Sequence, residues 1–158
     1  MFGLNKKSSI VITAPLDGYV VPVAQLSDPV FSEDILGRGI AIKPDSGSVI
    51  APADATISLM FETGHAVSLV TDDGVELLIH VGIDTVKLKG RHYTIHKNSE
   101  DIVKAGEILM EFDAAAIQSD GYDTATPVVV CNPDDFRKIS FAEEGPIKAG
   151  DPLITIKN

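Results

Sequence analysis

Short apolar runs recur along the chain, separated by clusters of glycine, proline, aspartate and asparagine. The runs include IVITAP, GYVVPV, GIAIKP, TISLMF, AVSLVT, EILMEFD, TPVVVC and PLITIK. Short strands at regular spacing with turn residues between them are typical of an all-β sandwich or barrel. Helical periodicity is weak and predicts only short turns near residues 32–36, 113–119 and 133–138. The pattern therefore predicts an all-β fold, an antiparallel β-sandwich or barrel-sandwich with a few helical turns.

Two segments of the chain are echoed later in the sequence. TAPLDGYVVPV from Thr13 resembles IAPADATISLM from Ile50, and IVKAGEILMEF from Ile102 resembles PIKAGDPLITI from Pro146. In the second pair, the glycine of each Lys-Ala-Gly-acid segment suits a tight turn that leads into a strand. These copies predict pseudo-duplicated strand motifs. The length predicts one domain over residues 10–158, after a short flexible tail over 1–9.

One long segment, TISLMFETGHAVSLVTDDGVELLIHVG, predicts three consecutive antiparallel strands. The strands cover approximately residues 56–61, 65–71 and 75–81. Asp73-Gly74 in the second turn is a strong hairpin signal and favours a two-residue type I′ loop.

The register of this hairpin decides whether two histidines meet. With the two-residue loop, His80 faces Val67, and His65 lies diagonally next to His80 at about 7–8 Å between backbones. A loop at residues 72–73 brings His65 directly opposite His80, whereas a three-residue loop puts the two on opposite faces. The Asp-Gly signal predicts that both histidines share one face.

That predicted face carries His65, Val67, Leu69, Leu78 and His80, and the other face is also mainly apolar. One face must cover the core. The face with the histidines is then either a second buried layer or an exposed apolar patch for a partner.

A structural role remains open for the two imidazoles, and three kinds of chemistry also fit them. A zinc site needs further ligands, for which Asp84 is the candidate. Acid–base hydrolysis needs an activated nucleophile, and no Gly-x-Ser-x-Gly element is present. In phosphoryl transfer one unprotonated imidazole nitrogen attacks phosphorus, while a second imidazole contacts the charged oxygens. Gly82, two residues after His80, permits a backbone turn that aims its carbonyl at that ring, and the Thr63 hydroxyl is near enough in sequence to orient His65. A strand end at Gly82 and a turn at Thr63 are the alternatives that remain open.

Charge and cysteine content narrow the setting. The 158 residues carry a formal net charge of −10, which argues against a nucleic-acid surface and suits a basic partner or simple solubility. The single Cys131 excludes an internal disulfide and indicates a reducing compartment, so we expect a cytoplasmic protein. MFGLNKKSS lacks the apolar region of a signal peptide, and no run of about 20 apolar residues predicts membrane insertion.

Motifs from about Ile10 to Ile156 resemble those of one protein family. They are TAPLDG, DPVFSEDILGRGIAIKP, VIAPADATI, FETGHAVSL, GVELLIHVGIDTVKLKG, VKAGEILMEFD, TPVVV and KAGDPLI. The combination of FETGHA and HVGIDTVKLKG is highly specific. On these stretches the chain resembles the glucose-type enzyme IIA of the bacterial phosphoenolpyruvate-dependent sugar phosphotransferase system.

The resemblance implies a β-sandwich with a shallow, apolar active-site depression. It implies that His80 is phosphorylated on Nε2, that His65 contacts the phosphoryl group, and that Thr63 is bonded to His65. Gly82 would supply the carbonyl for the Nδ1–H of His80. With Leu69 added from the strand pattern, the residues expected around the depression to meet partners are Val30, Phe31, Leu69, Leu78, Asp84 and Val86.

In this family the donor is the phosphocarrier protein HPr, and the acceptor is a cysteine on the IIB domain of a sugar permease. The resemblance implies no cofactor, a monomer, and possible regulatory protein targets that read the phosphorylation state. Leu78 stands where many members have Phe. RHYTIHKNSED, residues 91–101, matches poorly, and we expect its His92 and His96 to be surface residues.

Other functional interpretations of the same residues remain open. One is a zinc-dependent hydrolase on a related sandwich with His65, His80 and Asp84 as ligands. Another is a zinc site that forms only in a complex, in which His65 and His80 bind the ion and a carboxylate of the partner completes the coordination. A biotinyl or lipoyl carrier would need a lysine at a hairpin tip, and no Met-Lys-Met or Asp-Lys-Ala tip is present. The sugar served is not encoded here.

Overall fold

The computed structural model describes residues 9–158, and short antiparallel strands dominate them. The strands are β1 (Ser9–Thr13), β2 (Gly18–Pro22), β3 (Arg38–Pro44), β4 (Ser48–Ile50), β5 (Ala55–Met60), β6 (Ala66–Thr71), β7 (Glu76–His80), β8 (Tyr93–Ile95), β9 (Ile102–Val103), β10 (Ile108–Phe112), β11 (Thr126–Val130), β12 (Lys138–Phe141), β13 (Gly145–Ile147) and β14 (Pro152–Lys157). The helices are α1 (Pro29–Ser32), α2 (Ala114–Ser119) and 3-10 turns at Val23–Gln25, Thr85–Leu88 and Pro133–Asp135. The predicted all-β fold class is confirmed.

The helical turns differ in detail from the sequence prediction. The turn expected near 32–36 forms earlier, as α1, because the Asp28 side chain accepts a hydrogen bond from the Val30 backbone N–H and Pro29 occupies the first helical position. Of the tail predicted over residues 1–9, all but Ser9 lie outside the described residues. Ser9 begins β1. No helix in the part of the chain that the structure describes is long and apolar enough to cross a membrane.

The strands form three antiparallel sheets. The largest has the order β13-β2-β3-β11-β7-β6-β5-β9, and the two smaller ones are β1-β14-β12 and β4-β10-β8. All three contribute to one apolar core, for example Ile12 from β1, Leu109 from β10 and Ile79 from β7, each fully buried. The large sheet also covers a second apolar cluster on its other face.

That second cluster explains why the central strands are apolar on both sides. Along β7, Leu77 and Ile79 enter the main core, whereas Leu78 enters the second cluster. Along β11, Val128 and Val129 divide in the same way. Of the two alternatives for the face that carries His80, a second buried layer or an exposed apolar patch, the structure shows the buried layer. Both histidines lie at the edge of this layer.

The β6–β7 hairpin has a three-residue loop, so the predicted two-residue loop is wrong. The Thr71 N–H donates to the Val75 carbonyl at 2.9 Å, and the Gly74 N–H donates to the Thr71 carbonyl at 2.9 Å. Gly74 has φ 88°, which fits a three-residue loop whose last residue is left-handed. In this register His80 lies opposite Ala66.

The echoed segments pack against each other as a pseudo-twofold pair. The Thr13 N–H donates to the Pro52 carbonyl at 3.0 Å, and the Ile50 N–H donates to the Pro15 carbonyl at 2.8 Å. These bonds are reciprocal, because Thr13 and Ile50 occupy equivalent positions in the two copies.

Each copy also holds one Lys-Ala-Gly turn by a carboxylate. Asp17 Oδ1 accepts from the Ala149 N–H at 2.8 Å, and Asp54 Oδ1 accepts from the Ala105 N–H at 3.0 Å. The sequence echo therefore encodes a repeated hydrogen-bond pattern as well as repeated strands.

We expect Asp17→Ala and Asp54→Ala each to lower the free energy of unfolding by about 0.5–1.5 kcal/mol, because each removes the carboxylate that accepts from a backbone N–H. Urea unfolding at pH 7 would measure both. The exposed Glu144→Ala serves as control and should change stability little. Losses no larger than that of the control would contradict a stabilising role for these two hydrogen bonds.

Candidate active site

His80 ends strand β7 and is half-buried. Its Nδ1 lies 2.7 Å from the Gly82 carbonyl oxygen. A carbonyl only accepts, so Nδ1 carries the proton and the Nε2 lone pair is free. Gly82 has φ 92°, and a Cβ there would lie 2.4 Å from Thr85 Cγ2. A glycine is therefore required for the backbone turn that aims this carbonyl at the ring.

Burial favours the neutral form of the His80 ring at pH 7. Burial lowers its pKa below 6.5, while the hydrogen bond to Gly82 and the charges of Asp28 and Asp84 act in the opposite direction. A neutral imidazole with Nδ1 protonated is the form that can act as a nucleophile through Nε2.

His65 meets His80 even though the hairpin register differs from the prediction. The two ring centroids lie 5.0 Å apart, with the rings nearly perpendicular at 79°. With a three-residue loop, strict alternation would put the rings on opposite faces. His65, however, precedes β6 and follows Gly64, whose φ is 73°. The backbone turns there, so strand alternation does not direct the His65 side chain.

The environment of His65 fixes its charge and leaves one ring nitrogen free. The residue is 3% exposed, and Thr63 Oγ1 is hydrogen-bonded to its Nδ1. Burial, with a smaller contribution from His80, lowers the pKa of His65 to about 4. The ring is therefore neutral at pH 7, and Nε2 is the atom left for another group.

Two phenylalanines flank the imidazole pair. The Phe31 ring centroid lies 5.1 Å from that of His80, and the Phe61 centroid lies 5.4 Å from that of His65. Phe61 is absent from the sequence-based site. It directly precedes Glu-Thr-Gly-His, and that position at the end of a predicted strand is the signal that would have found it.

The predicted partner residues divide into a floor and a rim. Phe31 and Leu78 are 4% and 8% exposed in the second apolar cluster, where Val30 packs against them. Asp84 and Val86 are exposed, and Asp84 adopts a left-handed conformation before the 3-10 turn.

Leu69 does not belong to this patch. It is 1% exposed and packs in the main core, opposite Leu77. The expectation was wrong because the loop has one more residue than predicted, which reverses the faces of the strand.

Sequence reasoning missed three residues that flank α1. Asp28 caps the helix and influences the His80 ring electrostatically. Ile35 and Leu36, just after the helix, are 63% and 42% exposed. Their apolar character in an otherwise polar loop was the available signal.

The other two histidines lie outside the imidazole pair. His92 Nε2 is 2.8 Å from Asp120, and His96 Nε2 is 2.6 Å from Glu111. His96 is exposed as expected, while His92 is half-buried. The zinc hydrolase alternative finds no support, because no three His, Cys, Asp or Glu side chains among residues 9–158 are grouped to hold a metal ion.

A neutral imidazole with one unprotonated nitrogen can act as a nucleophile and carry a group covalently, and here a second, buried imidazole lies beside it. The model of the family described as phosphoenolpyruvate-dependent sugar phosphotransferase system, EIIA 1 matches residues 10–136. The chain belongs to this family, the phosphocarrier components of that system, and its resemblance to the glucose type is confirmed.

Individual relatives agree with this assignment. A glucose-specific EIIA component of Oceanobacillus iheyensis is 38% identical over 150 residues, 95% of this chain and 91% of that protein. A beta-glucoside-specific EIIBCA component of Dickeya chrysanthemi is 44% identical over 140 residues, 89% of this chain. The glucose permease IIA structure from Mycoplasma capricolum superimposes with a TM-score of 0.86 at 29% identity, covering 94% of this chain and 96% of that one.

The relatives differ in length. The chain spans 22% of the Dickeya EIIBCA protein and 22% of a glucose-specific EIIBCA component of Corynebacterium glutamicum. The chain thus matches one part of each of those longer proteins.

The lowered pKa of His65 predicts a specific pH dependence of stability. Between pH 6.5 and about 4 the unfolded chain protonates this ring and the folded chain does not, so stability falls as the pH falls through that window. One such proton gives a slope of up to about 1.4 kcal/mol per pH unit. We expect His65→Gln to reduce the slope seen in urea unfolding from pH 7 to 4, and an unchanged slope would contradict the assignment.

Proposed function

We propose that this chain accepts a phosphoryl group from a phosphohistidine of HPr on His80 Nε2 and passes it to a cysteine of a permease IIB domain. The observation that carries the proposal is the 2.7 Å hydrogen bond from His80 Nδ1–H to the Gly82 carbonyl, which leaves Nε2 unprotonated. Membership of the EIIA 1 family supports the same reaction.

In the acceptance step the Nε2 lone pair forms a bond to phosphorus. The nitrogen–phosphorus bond of the donor breaks, and its electron pair returns to the donor imidazole. The His80 ring becomes more positive as the new bond forms, and the Gly82 carbonyl oxygen stabilises that charge through Nδ1–H. No proton leaves the ring in this step.

His65 is suited to bind the phosphoryl oxygens. Its ring is neutral and carries one proton, and Thr63 occupies Nδ1. If the Thr63 hydroxyl donates to Nδ1, the proton is on Nε2, which then donates to a phosphoryl oxygen. The 3% exposure of His65 keeps it from competing with His80 as the phosphoryl acceptor.

In the delivery step a cysteine thiolate attacks the phosphorus, and the bond to His80 Nε2 breaks. This step puts an anionic nucleophile against an anionic phosphoryl group, whereas the acceptance step uses a neutral imidazole. A hydrogen-bond donor on the phosphoryl oxygens is therefore needed more in delivery than in acceptance.

The surface around His80 fits a transient interface that both partners use in turn. Val86 after Asp84, and Ile35 and Leu36 just after α1, are exposed and offer apolar contact area. Asp28 and Asp84 add negative charge beside the ring, and the chain carries a net charge of −10. Partners with an apolar centre and a basic rim would complement this surface.

The longer relatives support the IIB partner. The EIIBCA proteins of Dickeya and Corynebacterium combine an EIIA-like part with parts named B and C in one chain. Transfer within such an assembly takes place in the cytoplasm, in keeping with the single cysteine of this chain. Because phosphorylation adds about two negative charges to the rim, it also provides a signal that regulatory partners can read.

We expect His80→Gln to abolish phosphoryl acceptance, because glutamine has no nucleophilic ring nitrogen. Incubation with phosphoenolpyruvate, enzyme I and HPr, followed by intact-mass measurement and alkaline peptide mapping, would test this. His96→Gln, which removes an exposed imidazole, should still gain one phosphoryl group. Label at any residue other than His80 would exclude the assignment.

We expect His65→Gln to accept the phosphoryl group but to pass it on about 100-fold more slowly, because the donor to the phosphoryl oxygens is lost when thiolate attacks. Single-turnover transfer from purified phosphoprotein to a IIB domain would measure this. Equal losses in acceptance and delivery would contradict the division of roles.

A further inference from the structure

Tyr93 links the two histidine-bearing segments, although it lies in the stretch that matches the family poorly. Its hydroxyl donates to the Val81 carbonyl at 2.7 Å, next to His80 in the chain. Tyr93 also packs closely against Gly64, the residue before His65. A Cβ added to Gly64 would lie only 3.1 Å from the Tyr93 Cβ. Strand β8, which carries Tyr93, pairs with β10 in a smaller sheet. The bracing therefore comes from a sheet that contains neither histidine.

The peptide group between Val81 and Gly82 is held at both ends. The Val81 carbonyl accepts from Tyr93 Oη and also from Thr85 Oγ1, each at 2.7 Å. The Gly82 N–H donates to the Ala125 carbonyl at 3.1 Å. Because a peptide group is planar, fixing its oxygen and its N–H fixes its orientation.

That orientation sets the direction of the next carbonyl, the one that His80 uses. Gly82 has φ 92°, and the N–H of Ile83 donates to the Asp123 carbonyl at 2.9 Å. With both neighbouring peptides held, the Gly82 carbonyl stays aimed at His80 Nδ1. A rotation of the first peptide would turn it away, and the ring would then be free to protonate Nε2 instead.

The Tyr93 hydroxyl is a permanent donor in this network. Burial raises the pKa of Tyr93 to about 12, so the hydroxyl remains protonated across the working pH range. The ring packs against Phe112 at 6.4 Å between centroids, which anchors it in the core.

We propose that Tyr93 is a positioning residue for phosphoryl transfer: its hydroxyl, together with Thr85, holds the Val81–Gly82 peptide so that His80 keeps its proton on Nδ1. The inference rests on the proposed function of His80. It also gives a role to the segment over residues 91–101, which resembles the family poorly.

The test is the tautomer of His80 in Tyr93→Phe, which removes only the hydroxyl. In unphosphorylated, ¹⁵N-labelled protein at pH 7.5, long-range ¹H–¹⁵N spectra distinguish the two ring tautomers. We expect the ratio of Nε2–H to Nδ1–H to rise about 5-fold, the factor that corresponds to one ordinary hydrogen bond. We expect kcat for phosphoryl acceptance to fall by a similar factor with the KM for HPr unchanged.

The same change is repeated in a Thr85→Val background, where the second donor is absent. We expect a larger tautomer shift there, and no shift in either background would overturn the proposal. Two controls accompany it: Tyr19→Phe, which removes a hydroxyl from a tyrosine 44% exposed on β2, and Ile156→Val, which loosens the core at β14. A tautomer shift in Ile156→Val equal to that in Tyr93→Phe would also overturn it.

The tautomer is measured without HPr or phosphate, so it is independent of the proposed function. If wild-type protein failed to accept phosphate, the proposed function would fail. The tautomer ratio would still show whether Tyr93 holds the His80 backbone.

Discussion

The site depends on one hydrogen bond, from His80 Nδ1–H to the Gly82 carbonyl. It selects the tautomer and leaves Nε2 unprotonated. In the proposed transfer it also places an acceptor where positive charge develops. Its geometry needs φ 92° at residue 82 and room beside Thr85 that only glycine provides. The large sheet, the 3-10 turn after Asp84 and strand β8 can all be understood as supports for this short stretch of backbone.

Much of the architecture can be predicted from local patterns in the amino-acid sequence. The alternation of apolar runs and turn residues predicts the strands, and the repeated Ala-Pro and Lys-Ala-Gly segments predict the pseudo-twofold arrangement. The hairpin register was harder, because an Asp-Gly pair suits both a two-residue loop and the end of a three-residue loop. The one additional loop residue reverses which face of β6 lies on the same side as His80, and it places Leu69 in the core. The histidines still meet, because Gly64 turns the chain before β6 begins.

Long-range contacts explain what the patterns could not predict. Tyr93 reaches Val81 across twelve positions of sequence and from another sheet, and no local spacing encodes that contact. The Phe61 and Asp28 side chains approach the imidazoles only once β5 and α1 are in place. The two imidazoles are thus visible in the sequence as residue types, whereas the residues around them depend on how separate sheets pack together.

The pairing of β1 with β14 has a topological consequence. Ser9 is the partner of Lys157, so both ends of the described chain leave the sandwich at one corner, about 5 Å apart between Cα atoms. A neighbouring domain tethered at either end would start from the same point and sweep the same volume around the sandwich. Joining those ends and reopening the chain at an exposed loop would preserve every strand pairing, so the fold is well suited to rearrangement of domain order within larger polypeptides.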